Sequence, residues 1–240
     1  MKEVKPYNKF ENKKTQIRKM FNNISKTYDF LNFLLSFNMD KVWRRKVINK
    51  INNNPKKILD IATGTADVAI LAAKFTNAKI IGVDISEKMI DIGNKKIERK
   101  KLNKRISLSV DDAEKLPFKN NSFQAATSAF GVRNFSNIDK GLSEIFRVLD
   151  KNGILVILEP SKPSNFPIKQ LYYIYFTFLI PLIGKIFSRD KLAYKYFIKS
   201  VNEFYPKKTF IHKLKKCGFK SCKHESLTFG LSSIYTAIKK

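Results

Sequence analysis

Residues 57–86 constrain the fold of this chain more than any other stretch. The run Lys57–Ile61 is short and apolar, and the Thr- and Gly-containing turn after it predicts a buried parallel strand followed by a tight turn. Residues 66–75 have helical spacing, and a second apolar run over residues 79–83 ends at Asp84. Strand, glycine turn, helix, strand and acid form one βαβ unit. The stretch therefore predicts an α/β protein with a parallel sheet.

Gly64 and Asp84 mark a candidate nucleoside-binding site in this unit. Gly64 lets the turn adopt positive φ and lets a ligand approach more closely than a Cβ would allow. Asp84 follows twenty positions later (84 minus 64), where doubly wound sheets place a carboxylate that accepts hydrogen bonds from ribose hydroxyls. A dinucleotide-binding turn, G-x-G-x-x-G, would carry two further glycines that this turn lacks. The pattern indicates a nucleoside ligand without a pyrophosphate.

The charges beside this turn indicate which kind of nucleoside binds. Asp60 and Asp67 stand on either side of the turn, where they would repel a phosphate and attract a cation. A ribose together with a positive charge and no phosphate indicates S-adenosylmethionine rather than NAD as the cofactor. The alternative is an ordinary βα turn in an α/β protein that binds another ligand.

The 240-residue chain carries a formal net charge of +27, which favours anionic partners. Arg contributes 8 of the 47 basic residues, and the lysines are spread among many Asn, Ile and Phe, a mixture typical of an AT-rich coding sequence. We therefore favour transient contact with an anionic membrane surface and expect no nucleic acid partner. A nucleic-acid-binding protein or an RNA methyltransferase is the alternative from a different class.

The cysteine and histidine content argues against a disulfide framework and against a metal site. Cys217 and Cys222 are too few for a framework and fit a reducing cytosol. A zinc site would need both cysteines together with His212 and His224, so we expect structural roles for all four and no metal. The polar N-terminus does not resemble a signal peptide, so we expect a cytoplasmic protein, with peripheral contact at the inner face of the membrane left open.

Two amphipathic helices are predicted before the sheet. Apolar side chains recur at three- and four-residue intervals over Gln16–Leu35, and a second helix is expected over Met39–Asn49 with Arg44 and Arg45 exposed. The first helix also carries polar groups on or near its apolar face, at Tyr28, Asp29 and Asn32. These polar groups indicate either a cap or break between two helices or a functional surface.

Polar residues follow the third and fourth predicted strands. The strand over residues 105–110 leads to Asp112, which is either an acceptor for the amino group of an adenine or an ordinary turn acid. The strand over residues 123–128 leads to Arg133 and Asn134, on a glycine-containing loop at the binding edge of the sheet.

The C-terminal part continues the alternation of helices and strands. A helix over residues 138–149 and a turn at Asn152–Gly153 precede a fifth strand over residues 154–159. A terminal helix over residues 207–216 leads to an antiparallel hairpin that closes with a strand over residues 226–238.

A strongly apolar and aromatic stretch covers residues 166–187. Its uninterrupted apolar run, residues 171–183, is shorter than the roughly 20 residues that a bilayer span requires, and Pro181 interrupts it. We therefore predict no transmembrane helix. A buried helix that covers the sheet is the default interpretation, and a partly exposed apolar lip that admits a lipid tail is the functional one.

Several motifs together resemble the UbiE/COQ5 family of C-methyltransferases, on its menaquinone side. They span nearly the whole chain and comprise MFNNISKTYDFLNFLLSFNMDKVWRRKV, LDIATGTAD, GVDISEKMI, DAEKLPFKNNSF, FGVRNF with EIFRVL, LEPSKP, LYYIYFTFLIPLIGKI and LTFGLSSIYTAIKK. A strand–glycine–acid unit alone is common to many methyltransferases, whereas the combination is specific. The chain departs from the family pattern at Gln124, Asn152 and Pro160. Of these, Pro160 is expected to lie in the wall of the substrate site.

The resemblance implies a doubly wound α/β fold of the Rossmann-like methyltransferase class. Its seven-stranded sheet is mostly parallel, with N-terminal helices and a helical insertion before the last two strands. The implied reaction transfers a methyl group from S-adenosylmethionine to a ring carbon of a prenylated naphthoquinol. Carried over to this sequence, the cofactor positions are Thr65, Asp84, Asp112 and Ala113, which join Gly64 of the turn as the expected cofactor-binding residues. A substrate of the ubiquinone branch or another small lipid is the alternative.

Methylation of a quinol ring requires a cation or hydrogen-bond donors near the oxygen of the ionised hydroxyl. We expect Arg133 to supply the charge and Asn134 the hydrogen bonds. Tyr28 and Asp29 are further candidate catalytic residues, on a helix that closes over the ring.

We expect one methyltransferase domain over residues 1–240. It would comprise an N-terminal helical cap (1–50), a cofactor-binding core (51–160), an apolar helical insertion (161–205) and a C-terminal helix with strands (206–240). A homodimer is compatible with the sequence.

Overall fold

The computed structural model describes residues 3–8, 10–179 and 190–240. Its sheet contains β1 (Lys57–Ile61), β2 (Lys79–Asp84), β3 (Ile106–Val110), β4 (Phe123–Ala129), β5 (Leu149–Pro160), β6 (Lys220–Leu227) and β7 (Ser232–Ile238). The helices are α1 (Lys13–Ser36), α2 (Met39–Asn49), α3 (Asp67–Phe75), α4 (Glu87–Arg99), α5 (Ile138–Val148), α6 (Ile168–Ile174), α7 (Lys191–Glu203) and α8 (Lys207–Lys216). A π-helical turn (Tyr175–Leu179) continues α6, and 3₁₀ turns cover Val132–Asn134 and Thr228–Gly230.

The seven strands have the order β3-β2-β1-β4-β5-β7-β6, which confirms the predicted fold class. The first five strands in this order, from β3 through β2, β1 and β4 to β5, are parallel. Strand β7 pairs antiparallel with both β5 and β6. The chain runs outward from β1 to β3 and then returns to β4 on the other side of β1. The order therefore reverses between β1 and β4, and in open α/β sheets ligands bind outside the carboxyl ends of the strands at such a point.

Two apolar layers cover the sheet, one on each face. Side chains of α5 and α8 pack on one face, and side chains of α2 and α3 pack on the other. Strands buried on both faces must be apolar throughout, which is why the parallel strands appear in the sequence as short continuous hydrophobic runs. Helix α4 starts directly after Ser86, because Ser86 Oγ accepts a hydrogen bond from Met89 N.

Helices α1 and α2 differ from the predictions in two respects. Helix α1 is unbroken, so of the two interpretations of its polar groups the cap or break around Tyr28 and Asn32 is wrong. Arg44 is buried rather than exposed, because it pairs with Asp40 one turn earlier and lies over the ring of Phe130. An ion pair with satisfied hydrogen bonds makes such a burial possible.

Two predicted elements in the C-terminal half also differ. Strand β5 begins at Leu149, because the Asn152–Gly153 turn is accommodated inside the strand with Asn152 at positive φ. The predicted single closing strand over residues 226–238 is two strands, separated by the 3₁₀ turn Thr228–Gly230.

The apolar stretch after Phe166 is an exposed element over its described part. No residue between Ile168 and Leu179 is buried, so the expectation of a buried cover helix is wrong there. The remainder of the predicted element, residues 180–187, lies outside the described residues. Within the described ranges, no helix is both long and apolar enough to cross a bilayer.

Candidate functional site

Two cavities adjoin at the carboxyl edge of the sheet, under helix α1. The first, here called the strand-end cleft, is a space of about 70 Å³ lined by residues that follow β1, β2, β3 and β4. The second, here called the apolar cavity, has about 500 Å³ and is walled by α1, α2, α6, α7 and the turns at 130–134 and 228–231. Four residues line both cavities: Phe21, Tyr28, Phe130 and Asn134.

Asp84 lies in the strand-end cleft, as the sequence predicts, and its carboxylate is fixed by backbone donors. Its Oδ2 accepts a hydrogen bond from Gly64 N at 2.8 Å, and its Oδ1 accepts one from Ser86 N at 2.9 Å. Gly64 adopts φ +56°, which brings its N–H toward β2. Burial raises the pKa of Asp84, and the backbone hydrogen bonds oppose this effect. The turn and the acid therefore form one rigid wall.

Asp112 and Ala113 also line the cleft, at the end of β3. Asp112 Oδ1 accepts a hydrogen bond from Glu114 N at 2.9 Å, and Oδ2 accepts one from Lys14 Nζ at 2.6 Å. Lys14 also pairs with Glu114 at 3.2 Å. Because Lys14 belongs to α1, this ion pair holds the start of that helix across the cleft.

The charges in the cleft fit a cationic nucleoside, although through different acids from those expected. Asp60 does not line the cleft, because its carboxylate is buried and accepts hydrogen bonds from the hydroxyls of Thr63 and Thr127, each at 2.6 Å. Burial raises the pKa of Asp60 to about 6. Asp67 also lies outside the cleft and pairs with Lys96. The acids that line the cleft are Asp84, Asp111, Asp112 and Glu114, and Lys14 is the cation that lines it among the described residues.

Thr65 and Asp29 contact each other rather than either cavity. Thr65 Oγ1 donates to Asp29 Oδ1 at 2.6 Å. Lys96 Nζ donates to Asp29 Oδ2 at 2.9 Å, to Thr65 Oγ1 at 3.0 Å and to Asp67 Oδ1 at 2.5 Å. This network, here called the α1–turn network, joins α1 to the glycine turn and to α4. Its geometry favours a role for Asp29 in holding α1, and a direct catalytic role remains only a prediction.

Arg133 lines the apolar cavity, and a buried carboxylate fixes its position. Its Nη1 donates to Glu159 Oε2 at 2.9 Å, and its backbone N donates to Glu159 Oε1 at 3.1 Å. The guanidinium lies 5.4 Å above the ring of Phe197, and its Nε is buried without a hydrogen-bond partner among the described residues. Burial raises the pKa of Glu159, whereas the adjacent guanidinium opposes this effect. Among the described residues that line the cavity, Arg133 is the cation, and it lies against an aromatic wall.

Tyr28 stands where the two cavities meet, next to the glycine turn. A Cβ on Gly64 would lie 3.8 Å from the Tyr28 ring. Burial raises the pKa of Tyr28, with Arg44 the largest opposing influence. The phenol is therefore protonated at neutral pH and can donate a hydrogen bond at the junction.

Three residues that sequence reasoning missed support this arrangement. Lys13 Nζ donates to Phe135 O at 2.7 Å and holds the turn that carries Arg133. Lys13 falls on the apolar stripe of α1, and Glu159 ends an apolar strand just as Asp84 does, so both patterns were available in the sequence. Tyr196 of α7 carried no such signal, because its contact with Asn134 joins positions 62 residues apart.

Comparison with known proteins gives consistent matches. A family model described as the ubiE/COQ5 methyltransferase family matches residues 9–239. A demethylmenaquinone methyltransferase of Bacteroides fragilis is 42% identical over 98% of this chain and 97% of that protein. A ubiquinone/menaquinone biosynthesis C-methyltransferase UbiE of Geotalea daltonii is 41% identical over 96% of this chain and 99% of that protein.

A solved structure supports the same fold. A SAM-dependent methyltransferase of Thermotoga maritima, described as a possible histamine N-methyltransferase, superposes with a TM-score of 0.67 at 19% identity, over 92% of this chain and 99% of that one. The predicted resemblance is confirmed, and with it the prediction of a methyltransferase that uses S-adenosylmethionine. The chain belongs to the UbiE/COQ5 methyltransferase family.

Proposed function

We propose that this enzyme methylates a ring carbon of demethylmenaquinol, with S-adenosylmethionine as the methyl donor, and so forms menaquinol. The observation that carries the proposal is the shared wall between the strand-end cleft and the apolar cavity. A methyl donor in the cleft and a ring in the cavity would meet at that wall. Relatives that match nearly the full chain carry the name demethylmenaquinone methyltransferase, which supports the same substrate.

The cleft residues suit the cofactor in polarity and charge. When bound, S-adenosylmethionine supplies an electrophilic methyl group, and the electrons of the broken C–S bond stay on sulfur. Asp84 would accept hydrogen bonds from the ribose, and Asp112 from the adenine amino group. Ile85 and Met89 provide apolar surface beside these acids. The excess of carboxylates in the cleft favours the positive sulfonium.

The apolar cavity suits a naphthoquinol ring with its prenyl tail. Its walls are mostly aliphatic and aromatic, and an aromatic stack runs from Tyr172 through Phe176 and Phe197 to Arg133. Phe37 and Phe229 line the cavity and are mostly exposed, so they lie at its solvent side. The ring would bind near Arg133, and the tail would leave toward this exposed apolar side.

Arg133 and Asn134 would act on the ring oxygen beside the reacting carbon. Loss of the hydroxyl proton makes that carbon nucleophilic, and the guanidinium stabilises the resulting oxyanion. As the new C–C bond forms, the ring loses aromaticity, and departure of the proton on that carbon restores it. Arg stays protonated at working pH and cannot accept these two protons, which pass to water. The product oxyanion then takes up one proton to give menaquinol. The apolar walls limit competing water near the methyl group.

The test is product analysis with labelled donor. The purified protein is incubated with S-adenosylmethionine carrying a labelled methyl group and with demethylmenaquinol, the demethylated ubiquinol precursor or a sterol. We expect the label on the naphthoquinol ring carbon, identified by mass spectrometry. Label on another acceptor, or none on the naphthoquinol, would overturn the proposal.

We further propose that the exposed side of the apolar cavity contacts an anionic bilayer surface. Three phenylalanines support this: Phe37 and Phe229 line the cavity, and Phe166 lies two residues before the lining Ile168. Each has about three quarters or more of its surface exposed. The net charge of +27 complements anionic headgroups, and exposed aromatic residues suit the interface.

Co-sedimentation with phosphatidylglycerol vesicles tests this contact. Binding should fall when the three phenylalanines are changed to Ser, and rising salt should weaken it. The control is Phe75→Ser, which changes an exposed phenylalanine that does not line the cavity. Absence of vesicle binding at low salt would refute the contact, and retention of RNA at physiological ionic strength would instead favour the nucleic-acid alternative.

A further inference from the structure

The side chain of Asn134 has a defined orientation, because its two hydrogen-bond partners differ in chemistry. Asn134 Nδ2 donates to Phe130 O at 3.1 Å. Tyr196 OH donates to Asn134 Oδ1 at 3.0 Å. A carbonyl oxygen can only accept, so Nδ2 must face Phe130, and Oδ1 is left to accept from the tyrosine. One Nδ2–H remains for a ligand, in a residue that lines both cavities.

Tyr196 is well placed to hold this orientation. It belongs to α7, and its side chain is buried beside Ala193 and Tyr194 in the cluster that packs α7 against α1. Burial raises the pKa of Tyr196, so the phenol stays neutral and keeps its hydrogen at working pH. Its position therefore depends on packing between elements that are distant in sequence.

We propose that Tyr196 is a positioning residue: Phe130 O fixes which end of the Asn134 amide is the donor, and the bond from Tyr196 to Oδ1 holds the amide at the angle that aims its second Nδ2–H at the ring oxygen of the acceptor. The proposal rests on the proposed function for the identity of that oxygen. A donor stabilises the ionised hydroxyl of the bound quinol, whereas an amide carbonyl in the same place would repel it.

The pH dependence of turnover reports on this effect. The ionised fraction of the bound quinol rises with pH, so the midpoint of kcat against pH reflects the pKa of its hydroxyl in the complex. Losing one hydrogen bond to a charged oxygen should raise that midpoint by about one pH unit. At pH values below the midpoint, kcat of the variant should be about ten-fold lower than that of wild type, and the two kcat values should become equal at high pH.

Other charged and titratable groups surround the junction and must be held constant. They are Lys13 and Tyr28 on α1, Arg44 on α2, Asp84 on β2, Arg133 beside Asn134, and Glu159 on β5. All of them are unchanged in Tyr196→Phe, which removes one hydroxyl and keeps the buried ring. The difference between the two pH profiles therefore isolates that hydroxyl.

The experiment compares wild type, Tyr196→Phe, Asn134→Ala and the double variant, at saturating S-adenosylmethionine and demethylmenaquinol. We expect Tyr196→Phe to raise the midpoint and lower kcat as stated, with the affinity for S-adenosylhomocysteine unchanged. In Asn134→Ala the donor is already lost, so adding Tyr196→Phe should cost no further activity.

A second tyrosine separates positioning from packing. Tyr175 OH donates to Leu35 O at 2.7 Å in the same aromatic wall. Tyr175→Phe also removes a partly buried hydroxyl bond, and we expect it to leave the midpoint of the pH profile in place. Thermal unfolding of both variants shows whether either is less stable.

The outcomes distinguish this inference from the proposed function. If wild type does not methylate the naphthoquinol, the proposed function fails. If wild type is active and Tyr196→Phe keeps the wild-type midpoint, or if the losses of Tyr196→Phe and Asn134→Ala multiply in the double variant, the positioning role is wrong.

Discussion

The strand-end cleft and the apolar cavity are built in different ways. In the cleft, Gly64, Asp84 and Ser86 bond to each other through backbone N–H groups and one carboxylate, all within a single βαβ unit. The walls of the cavity come from α1, α2, α6, α7 and two separate turns, which span most of the chain. The glycine-turn wall of the strand-end cleft is thus set by local hydrogen bonding, and the apolar cavity by long-range packing of helices.

Helix α1 belongs to both regions. Lys14 and Asp29 tie it to the residues around the cleft, while Leu31 and Leu35 face the apolar cavity. A movement of α1 would therefore change both sites together. Substitutions that affect only one site, or α1 alone, test how separate the two regions are.

The largest effect is expected from Arg133→Ala, which should impair the acceptor side alone. Loss of the cation beside the ring oxygen should lower kcat by about 10²-fold or more, with unchanged binding of S-adenosylhomocysteine by titration calorimetry. The change also leaves the Glu159 carboxylate buried without its ion partner. In the double variant Arg133→Ala/Glu159→Gln, no unpaired carboxylate charge is left buried. Recovery of turnover in the double variant would show that Arg133 acts only structurally.

Asp84→Ala should impair the cofactor side. It removes the expected ribose acceptor and leaves Gly64 N and Ser86 N without their partner. We expect S-adenosylhomocysteine to bind about ten-fold or more weakly in calorimetry, since losing a hydrogen bond to a charged group costs about 1.5–3 kcal/mol. Asp91→Ala changes an exposed acid on α4 and serves as the control. Equal affinities for the two variants would remove Asp84 from the site.

Lys13 provides a pH-dependent test of how α1 holds the Arg133 turn. Burial lowers the pKa of Lys13 from 10.5 to about 8. The unfolded chain therefore binds more protons than the folded chain between these values, so this residue makes the free energy of unfolding rise with pH across that window. From the lower to the upper end of this pH window, the free energy of unfolding of wild type should rise by on the order of 1 kcal/mol more than that of Lys13→Met, as measured in denaturant titrations. Parallel curves for the two proteins would contradict the assignment.

The smallest effect is expected in the α1–turn network. Lys96→Met removes the cation that bonds Asp29, Thr65 and Asp67, and this network is partly exposed, so the loss should be modest. We expect S-adenosylhomocysteine to dissociate a few-fold faster in stopped-flow measurements, with less salt dependence than in wild type. Lys95→Met, at an exposed neighbouring position, is the control. Identical dissociation rates in all three proteins would show that the network does not hold α1.

The sequence located the strands around the strand-end cleft well. Short apolar runs that alternate with segments of helical periodicity located β1 to β4. The acid that ends β2 lies beside Gly64 as expected. The sequence was less reliable for the location of charged side chains, since Asp60 and Asp67 lie outside the cleft and Arg44 is buried. Whether a polar side chain faces a site or a neighbour depends on partners that local sequence does not show.

By itself, the sequence determined the doubly wound sheet, the glycine turn and the family, because hydrophobic periodicity and strand-end acids are local properties of the chain. The tertiary structure alone decided that Tyr196 bonds Asn134, that Glu159 pairs with Arg133 and that α1 closes over both cavities. These contacts join residues 26 or more positions apart, and their geometry depends on how helices pack on the finished sheet.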